Sequence, residues 1–388
     1  MNARIHIPLA SLVAALVALA LTSPDVVAAD KVDPVADARA FQNFFFQKFP
    51  NVKHEDFVNG PYSMNEDMKR QWQEKEEFPP YEFALEAGKE MFSTPFKNGK
   101  TYADCFPNGG IGIRQNYPYF DSGEGKVITL ELALNRCREA NGEAPYSYIK
   151  DEMASLTAYM AYTSRGKLMD IKIPDDPRAL AAYENGKRYF YTRRGQMNFS
   201  CASCHVQSPG ERIRAETLAP ALGILNAMPI YRSEWSGMGT TSRRFVTCNS
   251  QTRAVPLEPQ ADEYRDVEYF PVLRRQRPAD LGTGSTAMKL SLGLAMLLAL
   301  SLAPSARAAS EADYKAAYAA AEAASKEAAG MRNQWTVTVS ALAAAKRAAD
   351  GGDFGRAVAA AREAEALAKA SIFQAVSEKE AWKAMEIR

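Results

Sequence analysis

Cys201-Ala202-Ser203-Cys204-His205 constrains this chain more than any other stretch. Two thiols two residues apart, followed at once by an imidazole, have the spacing that forms two thioether bonds to one porphyrin and sets a nitrogen under its iron. A zinc site is the competing reading of paired cysteines. It needs further Cys or His ligands at close spacing, and none stands nearby. The chain as a whole is expected to be mainly α, from helix starts and helical spacing on both sides of the motif.

Residues 1–29 read as a secretory leader: a short basic head with Arg4 and His6, an apolar run from Ile7 to Leu21, and small residues at Val27-Ala28-Ala29. That run is short for a spanning helix, so no stable membrane insertion is expected. The destination expected is the periplasm, an oxidising compartment in which thiols pair or have a function. Basic and acidic residues nearly cancel, at 47 against 46, which gives no reason to expect nucleic acid as a partner.

The chain has five cysteines, so one is left over once the haem pair and one further pair are assigned. An internal repeat separates them. Gly88-Lys89-Glu90-Met91-Phe92 resembles Gly186-Lys187-Arg188-Tyr189-Phe190, an offset of 98. Gly112-Ile113 with Pro118 matches Gly223-Ile224 with Pro229, and Cys137 matches Cys248, an offset of 111. The step implies about a dozen extra residues after the haem motif of the second copy.

Each copy reads as a small helical unit. Asp176-Pro177 is a helix start, followed at helical spacing by Leu180, Tyr183, the stem of Lys187, and Phe190. Gly186 suits a close helix approach, and Gly88 takes the same part in the first copy. Ile149, Met153, Leu156, Met160 and Thr163 line another helix face that Gly166 would end. In the first copy Tyr102-Ala103-Asp104-Cys105-Phe106 occupies the motif position. It lacks the first thiol and the imidazole, so that copy carries no haem. Cys105 and Cys137 are then free to form a disulfide, and Cys248 remains.

The sixth iron ligand is open at this point. His6 falls in the leader and His54 lies upstream in the other unit, which leaves Met197, Met228, Met238 and Cys248. Cys248 repeats Cys137, and a thiolate is favoured beside iron and beside Arg243 or Arg244. A methionine would suit plain electron transfer, whereas a thiolate lowers the potential and supplies a reactive sulfur.

After residue 280 the character changes. Leu281-Gly282-Thr283-Gly284-Ser285-Thr286 reads as a linker. Met288-Lys289, the apolar run from Leu290 to Leu302 and Ala306-Arg307-Ala308 form a second leader-like pattern in mid-chain. Two exported proteins joined in one reading frame would give that order. Residues 309–388 are Ala-rich and strongly helix-favouring, with a break at Asp350-Gly351-Gly352-Asp353 and an apolar stretch starting with Trp335, Val337, Val339 and Leu342. Two or three antiparallel helices with a binding role are expected there. The division is therefore 1–29 leader, 30–172 haemless unit, 173–280 haem-bearing unit, 281–308 linker, and 309–388 helical module.

The chain resembles the SoxA subunits of the SoxAX cytochromes of bacterial sulfur oxidation. The segments that carry the resemblance are the haem motif, Arg243-Arg244-Phe245-Val246-Thr247-Cys248-Asn249 and Ile113-Arg114-Gln115-Asn116-Tyr117-Pro118, within roughly residues 40 to 275. The resemblance implies two cytochrome c-like domains and, from the degenerate first motif, the type with one covalently attached haem c. It implies an L-cysteine S-thiosulfotransferase that couples thiosulfate to a cysteine of the SoxYZ carrier, with a SoxX-type cytochrome as partner. Carried over by position, Cys201 and Cys204 hold the haem, His205 and Cys248 are its axial ligands, Cys248 bears the working sulfur, and Arg244 lies beside it. This chain departs from the family at Pro271, which falls where the terminal helix would continue and would end it early. The 309–388 module resembles the small SoxK, or SoxXA-binding, proteins.

Overall fold

The computed structural model describes residues 32–270 and 309–388. The expected leader, Pro271, and the linker with its second leader-like pattern lie outside the described residues.

The described chain is mainly α, and the repeat is visible element by element. In the first copy a helix α3 (Glu82–Ser93) is followed by a hairpin of β1 (Tyr119–Asp121) and β2 (Lys126–Ile128), then α4 (Leu130–Ala140) and α5 (Asp151–Tyr162). In the second, α6 (Pro177–Tyr191) precedes a hairpin of β5 (Ile230–Arg232) and β6 (Gly237–Gly239), then α7 (Thr241–Gln251) and α8 (Asp262–Tyr269). Both hairpins and the helix after each begin 111 residues apart, as in 241 − 130 = 111. The caps repeat too: the Thr129 hydroxyl accepts from Leu132 N at 3.1 Å, and that of Thr240 from Arg243 N at 3.0 Å.

The paired glycines explain the helix crossings. A Cβ on Gly88 would lie 2.1 Å from the carbonyl oxygen of Ser155, and one on Gly186 would lie 2.0 Å from that of Asp266. These neighbours are again 111 apart, and only glycine lets the two backbones meet there. α6 starts as expected, with Asp176 accepting from Arg178 N at 2.9 Å and Pro177 as its first residue.

The two copies exchange their hairpins. β2 packs on α6 and α8 of the second copy, and β6 packs on α5 of the first. Thr129 donates to Gln260 at 2.7 Å while Thr240 donates to the carbonyl of Tyr148 at 2.5 Å, so each cap is tied to the opposite copy.

The N-terminal segment packs otherwise than its place in the sequence implies. α1 (Pro34–Lys48), counted with the first unit, buries Phe41 and Phe45 in the core of the second, against Phe190 and Phe270. Such a ring contributes about 1.5–3 kcal/mol when fully buried. The Tyr183 hydroxyl donates to Asp37 at 2.6 Å and binds the helix to α6. A short α2 (Glu66–Lys75) follows and buries no residue fully.

The C-terminal module is a three-helix unit of α9 (Glu311–Gly330), α10 (Thr336–Asp350) and α11 (Phe354–Ala381). α9 and α10 both lie along α11, and alanines such as Ala321, Ala341 and Ala364 form the seam, which permits close approach without loss of helix propensity. Val339 is 44% exposed, whereas Thr338 is buried: α10 starts at Thr336, and its register turns Thr338, Ala341 and Ala345 inward. α8 ends at Tyr269, before Pro271.

Candidate haem site

The haem motif follows α6 through a tight loop in which Arg194 and Phe199 pair. Ser200 and Ser203 cap one another, with Ser203 N donating to Ser200 Oγ at 3.0 Å and Ser200 N donating to Ser203 Oγ at 3.1 Å. Ser203–Gln207 then forms a π-helical turn, a form that is rare and recurs at functional sites. Ala202 and Val206 anchor the turn in the core. Lys48 of α1 donates to the carbonyls of Val206 and Gln207, both at 2.9 Å, and so puts a cation at the open end of the turn.

His205 is held by the segment after the hairpin of β3 (Arg212–Ile213) and β4 (Glu216–Thr217). Its Nδ1 lies 2.8 Å from the Ala219 carbonyl oxygen, which can only accept, so Nδ1 carries the proton and Nε2 is free to ligate. Ala221 N donates to the His205 carbonyl at 2.8 Å and closes the strap. Burial pushes the imidazole down to about 4; the Ala219 bond opposes this and Arg244 adds to it. His205 is therefore neutral at neutral pH, the form a metal requires.

Arg244 and Cys248 stand one helical turn apart on α7, on the same face. Burial pushes the Cys201 thiol up to about 11, with Arg194 opposing and Cys248 adding. Burial likewise raises Cys204, with Cys248 adding and Arg244 opposing. The three thiols, Arg244 and His205 thus act on one another electrostatically from one site. Arg243, beside them in sequence, turns away and pairs with Asp151 of the first copy at 3.2 Å.

Sequence reasoning left out Glu216 and Arg232. Arg232 pairs with Glu216 and with Glu234, and its cation is weakened by burial and then by Arg244. Glu216 comes within 3.9 Å of Arg244 Nη2, too long for a hydrogen bond. Glu216 lies on the extra hairpin, within the insertion that the change of offset had signalled. Arg244 Nη1 is buried and has no hydrogen-bond partner.

Met197 is 44% exposed, and Met238 is buried against Ala154 and Ala158 of the first copy. Met228 is buried in the same core as Ala202 and Val206, and it also lines a cleft with Val58, Arg114 and Leu168. His54, expected in the other unit, is on the N-terminal segment that packs with the second copy; its ring stacks on Phe46 at 3.4 Å.

These residues fit a haem c. Two thiols on one turn and a neutral imidazole with its second nitrogen fixed suit a metalloporphyrin. Among the described residues no three His, Cys, Asp or Glu side chains converge as a zinc site needs. The first copy is filled differently. Tyr102, 1% exposed, packs against Phe92 and Phe96, and its hydroxyl accepts from Arg138 at 3.1 Å. Cys105 and Cys137 are joined there by a disulfide. A cleft of about 760 Å³ remains beside it, lined by Phe106, Ile113, Tyr117 and Arg136 among others.

Fold and site together are those of a c-type cytochrome with a duplicated domain. The family model for the SoxA/TsdA cytochrome c domain matches residues 87–169, the copy without the haem motif. The SoxA subunit of the L-cysteine S-thiosulfotransferase of Chlorobaculum tepidum is 50% identical over 235 residues, 61% of this chain and 82% of that protein. The corresponding subunit of Allochromatium vinosum is 51% identical over 238 residues, 61% of this chain and 84% of its own. The crystal structure of SoxXA from P. pantotrophus is 32% identical and covers 51% of this chain and 75% of that one, with a TM-score of 0.46. The chain belongs to the SoxA family.

Proposed function

We propose that this protein is the SoxA subunit of a periplasmic thiosulfate-oxidising cytochrome, an L-cysteine S-thiosulfotransferase. Cys201 and Cys204 would hold one haem c, and His205 and Cys248 would ligate its iron. The observation that carries this reading is the placement of Cys248 one helical turn from Arg244, whose Nη1 is buried without a partner. Bound at these residues, the haem supplies one-electron acceptance.

The chain's own residues do the rest. The Arg244 guanidinium offsets the two negative charges of thiosulfate, which would otherwise be costly to bring against a thiolate in a low-dielectric site. The Cys248 thiolate bonds to the outer sulfur of thiosulfate, giving Cys248–S–S–SO₃⁻ and releasing two electrons, one for the haem held by this chain and one for the haem of the SoxX-type partner. A carrier thiolate, that of SoxYZ, then attacks the sulfur bearing the sulfonate and expels the Cys248 thiolate. The carrier leaves with –S–S–SO₃⁻, and Cys248 is restored. A SoxX-type cytochrome is the partner that takes the electrons onward.

Exchanging Cys248 for Met tests the proposal. A thioether still ligates iron, so the haem stays six-coordinate and gains the methionine-to-iron band in the far red, while coupling of thiosulfate to the carrier is lost. Retained coupling would make Cys248 structural, and an unchanged spectrum would assign the ligand to another residue such as Met228. Arg244→Lys should keep the haem and weaken substrate binding, because an ammonium cannot present two parallel donors.

A further inference from the structure

The C-terminal module touches the second copy where the haem ligands leave and enter the core. The loop at 193–198 leads into Cys201, and the segment at 252–255 follows α7 after Cys248. The two are in backbone contact. Met197 N donates to the Thr252 carbonyl at 3.1 Å, and a Cβ on Gly195 would lie 2.2 Å from that same oxygen. Arg253 also donates to the Gln196 side chain at 2.6 Å.

The module holds both. Gln374 of α11 donates to the Gly195 carbonyl at 3.0 Å and to the Asn198 side chain at 2.8 Å. Its own oxygen accepts from Asn333 at 2.7 Å and from Trp335 at 3.1 Å. Glu378, whose side chain is 3% exposed, accepts from the Arg193 guanidinium at 2.6 and 2.8 Å and from the Arg193 amide at 3.0 Å. On the other segment, Val255 N donates to the Gln334 carbonyl at 2.8 Å, and Thr336 N donates to that of Arg253 at 3.0 Å. The C-terminal end fastens the same unit from behind. Trp382 stacks on Tyr191, and Glu386 joins Asp37 around the buried Lys187 ammonium.

We propose that Gln374 and Glu378 are positioning residues: through them the module fixes the 193–198 loop against 252–255, and so sets the placement of the Cys201–His205 turn relative to Cys248. The inference rests on Cys248 as the distal ligand. A module that only added stability could have docked on any face. This one bonds the backbone at Arg193 and Gly195, eight and six residues before Cys201, and at Arg253 and Val255, five and seven residues after Cys248. Charge-assisted and multiple hydrogen bonds at a partly buried site are strong enough to suppress local opening.

The test uses the full haem-loaded chain with Gln374→Ala, Glu378→Gln and the pair together. Amide hydrogen exchange is expected to quicken about tenfold to a hundredfold at 193–198 and 252–255, with α3 and α5 of the first copy unchanged. The fraction of ferrous haem that binds carbon monoxide should rise in parallel, as the distal ligand is displaced more readily. Glu378→Asp should restore part of both effects. Unchanged exchange in the two segments would overturn the proposal, as would faster exchange with unaltered carbon monoxide binding, since the loops would then be stabilised without placing the ligand. A parent spectrum without thiolate character would instead refute the assignment of Cys248, and the exchange measurement would still judge whether the module holds the loops.

Discussion

Asp266 on α8 lies where Gly186 brings α6 and α8 into backbone contact, and it is 8% exposed. Its carboxylate accepts from Asn185 Nδ2 at 2.6 Å. Burial pushes it up to about 7; the Asn185 bond opposes this and Asp262 adds to it. In the unfolded chain an aspartate titrates near ~3.9. Between about pH 4 and pH 7 the folded state therefore holds a proton that the unfolded state has released, and stability falls as pH rises through that window. A gap of about three pH units at about 1.36 kcal/mol each is about 4 kcal/mol. Asp266→Asn keeps an oxygen for Asn185 to donate to and removes the charge. The assay is urea unfolding of the haem-loaded variant and parent across that pH range, taken as a difference so that all other titrations cancel. The variant should gain on the parent by about 4 kcal/mol between about pH 4 and pH 8. A difference that stays flat, or one that favours the parent as pH rises, would refute the reasoning, because Asp266 would then not be binding a proton in the folded state.

Gly186→Ala should lower the unfolding midpoint by an equivalent of about 1–3 kcal/mol, because its Cβ would lie 2.0 Å from the Asp266 carbonyl oxygen; an unchanged midpoint would show that the crossing opens without cost. Removing the Cys105–Cys137 disulfide, which spans 32 residues, should cost about 4 kcal/mol in the loop-entropy model. Both thiols should resist labelling in the unreduced protein, and labelling of either would contradict the pairing. A pyridine haemochrome assay should return one haem per chain, whereas two would mean that Tyr102 and Phe106 do not abolish attachment.

Much of the fold is legible in the residues because the repeat is written in positions whose chemistry is local. Gly88 and Gly186 need no side chain, Thr129 and Thr240 cap the helix that follows, and Asp176-Pro177 starts α6 wherever the helix then packs. The motif at 201–205 is local for the same reason, since two thiols and an imidazole on one turn carry their spacing with them. The pairing of α1 with the second copy is another matter. Phe41 and Phe45 declare an apolar face, but nothing along the chain says which core will cover it.

What the linear order of residues determined was therefore the class of elements, the duplication, the haem motif and the loss of its first copy. Each of these depends on interactions within a few residues or on direct comparison of two segments. Only the tertiary structure decided that the hairpins are exchanged between copies, that Arg243 turns to Asp151 while Arg244 stays beside Cys248, and that Glu216 of the inserted hairpin reaches the site. It also decided that Gln374 and Glu378, more than a hundred residues beyond Cys248, bind the loop that leads into Cys201. Such contacts follow from which apolar faces bury one another across the whole chain, and a hydrogen-bonding side chain carries no mark in sequence of a partner that distant burial will bring to it.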